Sequence, residues 1–214
     1  MRADLAAPRV KICGLTREED VAAAIEAGAS AIGFVEYPPS PRAVTSERAR
    51  ALIDAAAGRV DFVAVLVDRN PEFAEAWLRA SGATMVQLCG SERAEAWRGF
   101  EHPILRRVAA DDRAEDEIAA WQGVAAAIVL DHPSSPGGTG LEVDGARAAI
   151  LARLAPCLLA GGLDETNVRA RALRVRPHGV DASSRLEITP GIKDRARVAA
   201  FVGAARAALQ EIGS

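Results

Sequence analysis

Two textures alternate along the chain. Short apolar runs are followed by longer stretches in which Ala, Leu, Val and Ile recur at helical spacing among Arg and Glu. RVKIC at 9–13 precedes a helix over 17–28, and AIGFV at 31–35 precedes one over 46–57. DFVAVLV at 61–67 leads to a helix entered at Asn70-Pro71, and MVQLC at 85–89 to a helix from Ser91. PILRRVA at 103–109 is followed by a weaker, charged helix. AAIVL at 126–130 is followed by a Gly-rich loop and a helix from about Glu142. PCLLA at 156–160 leads to a helix over 164–174, and HGVDA at 178–182 to a loop and a terminal helix over 193–212. Thr16 with Glu19 three residues on reads as a capping box, and Gly28 as a C-terminal stop. Asn70 suits an N-cap and Pro71 a first helical position.

Eight strand–helix units, each continuous in apolar character across its strand, describe a parallel sheet covered by helices. Eight units at roughly 25 residues each favour a closed (β/α)8 TIM barrel over an open doubly wound sheet. The loop after the first strand, CGLT, lacks the G-x-G-x-x-G of a dinucleotide site. No linker or composition break divides the chain, so residues 1–214 read as a single α/β domain.

Composition narrows the function class. With 26 Lys and Arg against 29 Asp and Glu, the net charge of −3 gives no basis for binding nucleic acid or an anionic membrane. Cys13, Cys89 and Cys157 are odd in number and far apart, a poor disulfide framework or metal motif. A reducing, cytoplasmic setting is expected, with no signal peptide and no apolar run long enough to span a bilayer. The apolar faces of the outer helices would serve a monomer or a homodimer equally.

In such barrels the chemistry lies at the C-terminal ends of the strands. Cys13 closes the first strand and Asp131 the sixth. Arg42 lies in the loop after the second. Gly161-Gly162 follow the seventh, and Asp181, Ser183 and Ser184 mark the eighth. The last two loops suit a phosphate: the glycines let backbone N–H groups approach an anion, and the serines add hydroxyls. The glycine pair alone would equally serve a strand-to-helix turn. Cys13 and Asp131 could flank a ligand as base and acid, a thiol being a few per cent thiolate at neutral pH. Otherwise a cysteine in that place is a small core residue, and an aspartate closes a turn.

The joint pattern is more specific. KICGLTREED, AIGFV, YPPSPRAV, VQLCG, LDHPSSPGGTG, LLAGGLDETNV and GVDASSRLEITPGIKD, in that order over nearly the whole chain, resemble the phosphoribosylanthranilate isomerases of tryptophan biosynthesis. That resemblance implies an Amadori rearrangement of N-(5-phosphoribosyl)anthranilate to 1-(2-carboxyphenylamino)-1-deoxyribulose 5-phosphate, an intramolecular aldose–ketose isomerisation. It implies Asp131 as general acid on the ring oxygen, Cys13 as general base at C2, and Arg42 as partner of the anthranilate carboxylate. Gly161, Gly162, Ser183 and Ser184 would hold the phosphate, with Asp181 ordering that loop. Gly137, Gly138 and Gly140 would let the sixth loop fold over the substrate. Two proton transfers need no metal or cofactor. The chain departs from the family pattern at Glu36, Pro39, Cys89 (usually histidine) and Arg185 (usually glycine). Arg185 would either add a phosphate contact or crowd a tight turn. The competing readings are the related isomerase of histidine biosynthesis, which uses an aspartate base, and a non-catalytic or divergent phosphosugar-binding barrel.

Overall fold

Strand residues alternate between two environments, and that alternation closes the sheet. In the computed structural model, which describes residues 7, 9–56, 60–133 and 142–213, β1 (Val10–Cys13), β2 (Ala31–Glu36), β3 (Asp61–Leu66) and β4 (Met85–Leu88) are followed by β5 (Ile104–Ala109), β6 (Ala127–Asp131), β7 (Cys157–Leu159) and β8 (Gly179–Ala182). They form a closed barrel in sequence order, with every neighbouring pair parallel, as the alternating texture predicts.

Ala31, Val63, Met85, Leu105, Ala127, Val129 and Leu158 fill the barrel interior. Val10, Ile12, Ile32, Phe34, Phe62, Val86 and Leu159 point outward into the larger core beneath the helices. The side chains on the two faces differ in kind because the pleat sends successive residues to opposite sides.

The covering helices are α1 (Glu18–Ala27), α2 (Ser46–Ala55), α3 (Pro71–Ser81), α4 (Ala114–Ala120), α5 (Gly145–Leu151), α6 (Val168–Val175) and α7 (Arg195–Gly213). Asn70 caps α3 as expected, its Oδ1 accepting from Phe73 N at 2.9 Å. Gly28 ends α1 at φ 94°, where a left-handed residue is needed. Thr45 and Asp144 cap α2 and α5 in the same way, accepting from Arg48 N and Arg147 N. Such a cap contributes about 1 kcal/mol.

Four local expectations are corrected. Thr16 does not cap α1: its hydroxyl donates to Gly191 O at 2.7 Å, and Arg17 precedes the helix without a side-chain cap. The helix expected from Ser91 is a single 3-10 turn, Ala94–Trp97. Ser91 is held back by Asp68, whose Oδ1 accepts from both its N and its Oγ at 2.7 Å, and the buried Trp97 fills the space beneath. The helices expected from 142 and 164 begin later, at Gly145 and Val168. Asp164 instead folds residues 164–167 into a turn, accepting from Thr166 N and Asn167 N. Finally, the stretch after β8 is more than a loop: β9 (Glu187–Thr189) and β10 (Ile192–Lys193) pair antiparallel around Gly191.

Candidate active site

The inward-facing positions change character toward the C-terminal ends of the strands. Apolar residues give way to Lys11, Cys13, Gln87, Arg107, Asp131 and Asp181, and above them opens a cavity of about 370 Å³. That size suits a small ligand. Cys13, Asp131 and Asp181 line it from the strands, and Arg42 from the loop after β2. Gly161, Gly162, Ser183 and Ser184 line it from the loops after β7 and β8. Gly137, Gly138 and Gly140 lie outside the described residues.

Cys13 is 8% exposed. Burial raises its thiol above the ordinary range, while the Lys11 and Lys193 ammoniums pull the other way. Gly33 makes room for it: a Cβ at that position would lie 2.8 Å from Cys13 Sγ and 3.2 Å from Lys11 Nζ. Lys11 is fully buried and donates to Asp181 Oδ1 at 3.0 Å. Burial works to lower its pKa, but Asp181 and Cys13 outweigh it and hold the ammonium above its usual value. Asp181, at the end of β8 that leads into the phosphate loop, is thus the counter-ion of Lys11. The β1–β8 register sets Lys11 directly beside Asp181.

Removing one partner of a buried pair strands the other. Lys11→Met is therefore expected to lose about 3–5 kcal/mol of stability at neutral pH. Without Lys11 the folded-state pKa of Asp181 rises further above its unfolded value, so the loss shrinks as the buffer is acidified toward pH ~4. Urea denaturation at several pH values measures both effects.

Asp131 is held from two sides. Its Oδ1 accepts from His132 N at 2.8 Å and its Oδ2 from Arg107 Nε at 3.2 Å. Arg107 also donates to His132 O at 2.8 Å, so the arginine braces both the carboxylate and the start of the sixth loop.

The glycine turn after β7 has φ of 73° and 64° at Gly161 and Gly162, two successive left-handed residues. Arg171 donates to Gly161 O at 2.9 Å and Asn167 to Gly162 O at 2.8 Å. With the carbonyls tied down at α6, the N–H groups are the polar atoms this turn can offer an anion. Ser184 opens a 3-10 turn, Ser184–Leu186. The Ser183 hydroxyl donates to Cys13 O at 2.9 Å, so it links the eighth loop to the first strand and its proton is not available to an anion.

Arg42 presents its guanidinium to a carboxylate already in the protein. Its Nε and Nη2 donate to Glu187 Oε1 and Oε2 at 2.9 and 2.7 Å. Lys193 Nζ also donates to Glu187 Oε1, at 2.7 Å. Burial opposes the charge on Glu187, but Arg42 and Lys193 hold its carboxyl below the usual range.

The four departures are accounted for to different degrees. Arg185 pairs with Asp164 at 3.1 Å, and its backbone is not left-handed, so no glycine is required there. Glu36 pairs with Arg69 through both oxygens, at 2.8 and 2.9 Å. Cys89 lines the cavity and accepts from Gln87 Nε2 at 3.3 Å; burial pushes its thiol up to about 12. Pro39 lines the cavity, and nothing in the structure explains its choice over another residue.

Lys11, Arg107, Glu187 and Lys193 are functional candidates that strand-end reasoning passes over. Lys11 had a signal, a lysine flanked by Val10 and Ile12 in an apolar strand. Glu187 and Lys193 lie inside the motif GVDASSRLEITPGIKD, but nothing in it shows that the hairpin brings them against Arg42 and Ser183 of the cavity lining.

Residues 10–204 match the family described as N-(5'-phosphoribosyl)anthranilate (PRA) isomerase. The N-(5'-phosphoribosyl)anthranilate isomerase of Pseudomonas fluorescens (strain Pf0-1) is 41% identical over 207 residues, covering 94% of this chain and 100% of that protein. The crystal structure of phosphoribosyl anthranilate isomerase from Thermotoga maritima superposes with a TM-score of 0.85 at 31% identity, covering 94% of this chain and 100% of that one. A phosphoribosyl anthranilate isomerase in complex with reduced 1-(o-carboxyphenylamino)-1-deoxyribulose 5-phosphate superposes with a TM-score of 0.83, also at 31% identity, with coverage of 94% and 100%.

Proposed function

Because the chain belongs to the N-(5'-phosphoribosyl)anthranilate isomerase family, we propose that Cys13 and Asp131 are the base and acid of that family's rearrangement. The protein is an isomerase of tryptophan biosynthesis, acting on N-(5'-phosphoribosyl)anthranilate. One observation carries the assignment of roles. A thiol on β1 and a carboxyl group on β6 line the same cavity, whose rim carries the glycine turn and Ser183-Ser184.

Asp131 gives its proton to the ring oxygen of the ribose. The C1–O bond breaks, and the anilino nitrogen's lone pair forms a C1=N iminium. The Cys13 thiolate takes the hydrogen from C2. That electron pair becomes the C1=C2 bond of an enolamine, and the iminium π electrons return to nitrogen. The enol then tautomerises: its O–H proton is lost and C1 gains one, giving the ketone. Lys11 and Lys193 support the thiolate by their charge. The N–H groups of Gly161 and Gly162 and the Ser184 turn receive the phosphate. Arg42 receives the anthranilate carboxylate on the edge of its guanidinium that Glu187 leaves open.

The whole chain is read as one functional unit, since β1–β8 all contribute to one barrel and α7 returns to pack on β1. No helix among the described residues is long and apolar enough to cross a membrane. Cys13, Cys89 and Cys157 are all unpaired, which supports a reducing, cytoplasmic setting.

Loss of phosphoribosylanthranilate fluorescence on mixing with purified protein tests this function; phosphate binding without turnover would instead indicate a binding barrel. The base assignment also fixes a pH dependence. A thiol raised by burial is mostly protonated at neutral pH, so kcat/KM, which reports the free enzyme, is expected to climb as pH rises from 6 through about 9. A profile already flat at pH 6 would assign the base to some other group.

A further inference from the structure

We propose that Glu187 is a positioning residue for Arg42: from β9 it holds the guanidinium so that its remaining edge meets the substrate's aromatic carboxylate. This rests on the assignment of Arg42 made above.

A guanidinium has five N–H donors in a rigid plane. Glu187 takes the side edge, through Nε and Nη2 at 2.9 and 2.7 Å. The end edge, formed by Nη1 and the second Nη2 proton, can still receive a carboxylate through two parallel hydrogen bonds. Fixing the first edge therefore fixes the plane and direction of the second. A lone arginine on a loop would have to lose that rotational freedom on binding.

Glu187 is itself well anchored. Its side chain is 4% exposed, and Oε1 lies between the Arg42 and Lys193 cations. Lys193 Nζ in turn donates to Ser183 O at 3.1 Å. One carboxylate between two cations leaves a net positive charge, and of the three groups Arg42 is the one that lines the cavity. The hairpin that carries Glu187 and Lys193 is docked on the Arg42 loop. Gly191, at its turn, accepts from Thr16 Oγ1 at 2.7 Å, and a Cβ there would approach Pro41 O to 3.2 Å. From the other side, a Cβ at Gly14 would lie 2.6 Å from Arg42 Cδ. The arginine stem thus runs between the first loop and the hairpin, with Glu187 at its head.

The test compares wild type with Glu187→Gln and Arg42→Ala, using anthranilate and inorganic phosphate as separate binding probes and a thermal melt for folding. Glu187→Gln keeps the shape but removes the charge and one acceptor. Its affinity for anthranilate is expected to fall about tenfold or more, a loss of ~1.4 kcal/mol, while phosphate affinity stays within about twofold. KM is expected to rise more than kcat falls. In the Arg42→Ala background the Glu187 substitution is expected to add little, as for two residues acting as one unit. Unchanged anthranilate affinity in Glu187→Gln overturns the proposal. So does an equal loss for both probes, which would mark Glu187 as a purely structural support. If wild type binds anthranilate with this dependence yet does not turn over phosphoribosylanthranilate, the positioning role stands and the catalytic reading fails. If wild type binds no anthranilate, both fall.

Discussion

Cys13→Ala is expected to lower kcat/KM for phosphoribosylanthranilate by about 10³–10⁴-fold, the upper range for loss of a general base. Lys11 is charged and engaged by Asp181. Cys89, on the cavity wall beyond β4, is held protonated by burial. The thiol makes no anchoring contact with phosphate or carboxylate in the proposed scheme, so KM should move little and kcat should carry the loss. The melting temperature should stay near that of wild type, because the side chain removed is small and sits where the barrel opens into the cavity. Retention of more than about a tenth of wild-type activity would place the base elsewhere.

Asp131→Asn is expected to reduce kcat by a comparable factor, about 10³-fold, since an amide cannot deliver a proton to the ring oxygen. The variant is a clean probe of that step. An amide oxygen can still accept from His132 N, and Arg107 keeps its bond to His132 O. The ion pair lost is largely buried, with side chains 10% and 17% accessible, so stability is expected to fall by up to about 3 kcal/mol, at the low end for a buried pair because the amide oxygen can still accept from Arg107. Affinity for the reduced product analogue, measured by calorimetry, should be nearly unchanged. An active Asp131→Asn enzyme, or one that fails to bind the analogue, would remove the carboxyl group from the acid's role.

The barrel was legible because its strands are apolar on both faces, and eight such runs separated by helical periodicity leave few alternatives. Positions closing the strands, Cys13 and Asp131, followed from the fold rule alone. What escaped the reading was the environment of those residues. Lys11 and Arg107 sit in apolar strands, and only the pleat decides that they point inward while Arg106 points outward to Glu92 and Glu117. The β9–β10 pair was hidden because three residues against two carry no periodicity, and its register is fixed by docking on the Arg42 loop. Thr16 was misread for a related reason. Its hydroxyl can cap a helix or bond a distant carbonyl, and the hairpin turn at Gly191 supplies the distant one. Ser183 likewise carries a hydroxyl suited to a phosphate, yet a carbonyl of β1 claims it.

The departure at Cys89 also takes on a meaning in this setting. Where relatives of the resembling pattern carry an imidazole, this chain places a neutral thiol bonded to Gln87. The cavity wall opposite the base therefore carries no titrating group near neutral pH at that position. The kinetics between pH 6 and 9 should accordingly reflect the β1 thiol without interference from β4.

The most direct measurement is a crystal structure of this chain bound to the reduced product analogue. The sulfur of Cys13 should lie within about 4 Å of the sugar C2, and an Asp131 oxygen within about 3.2 Å of the hydroxyl derived from the ring oxygen, on opposite sides of the ligand. A ligand seated with both groups on one side, or with either separated from it by a further layer of protein, would contradict the account.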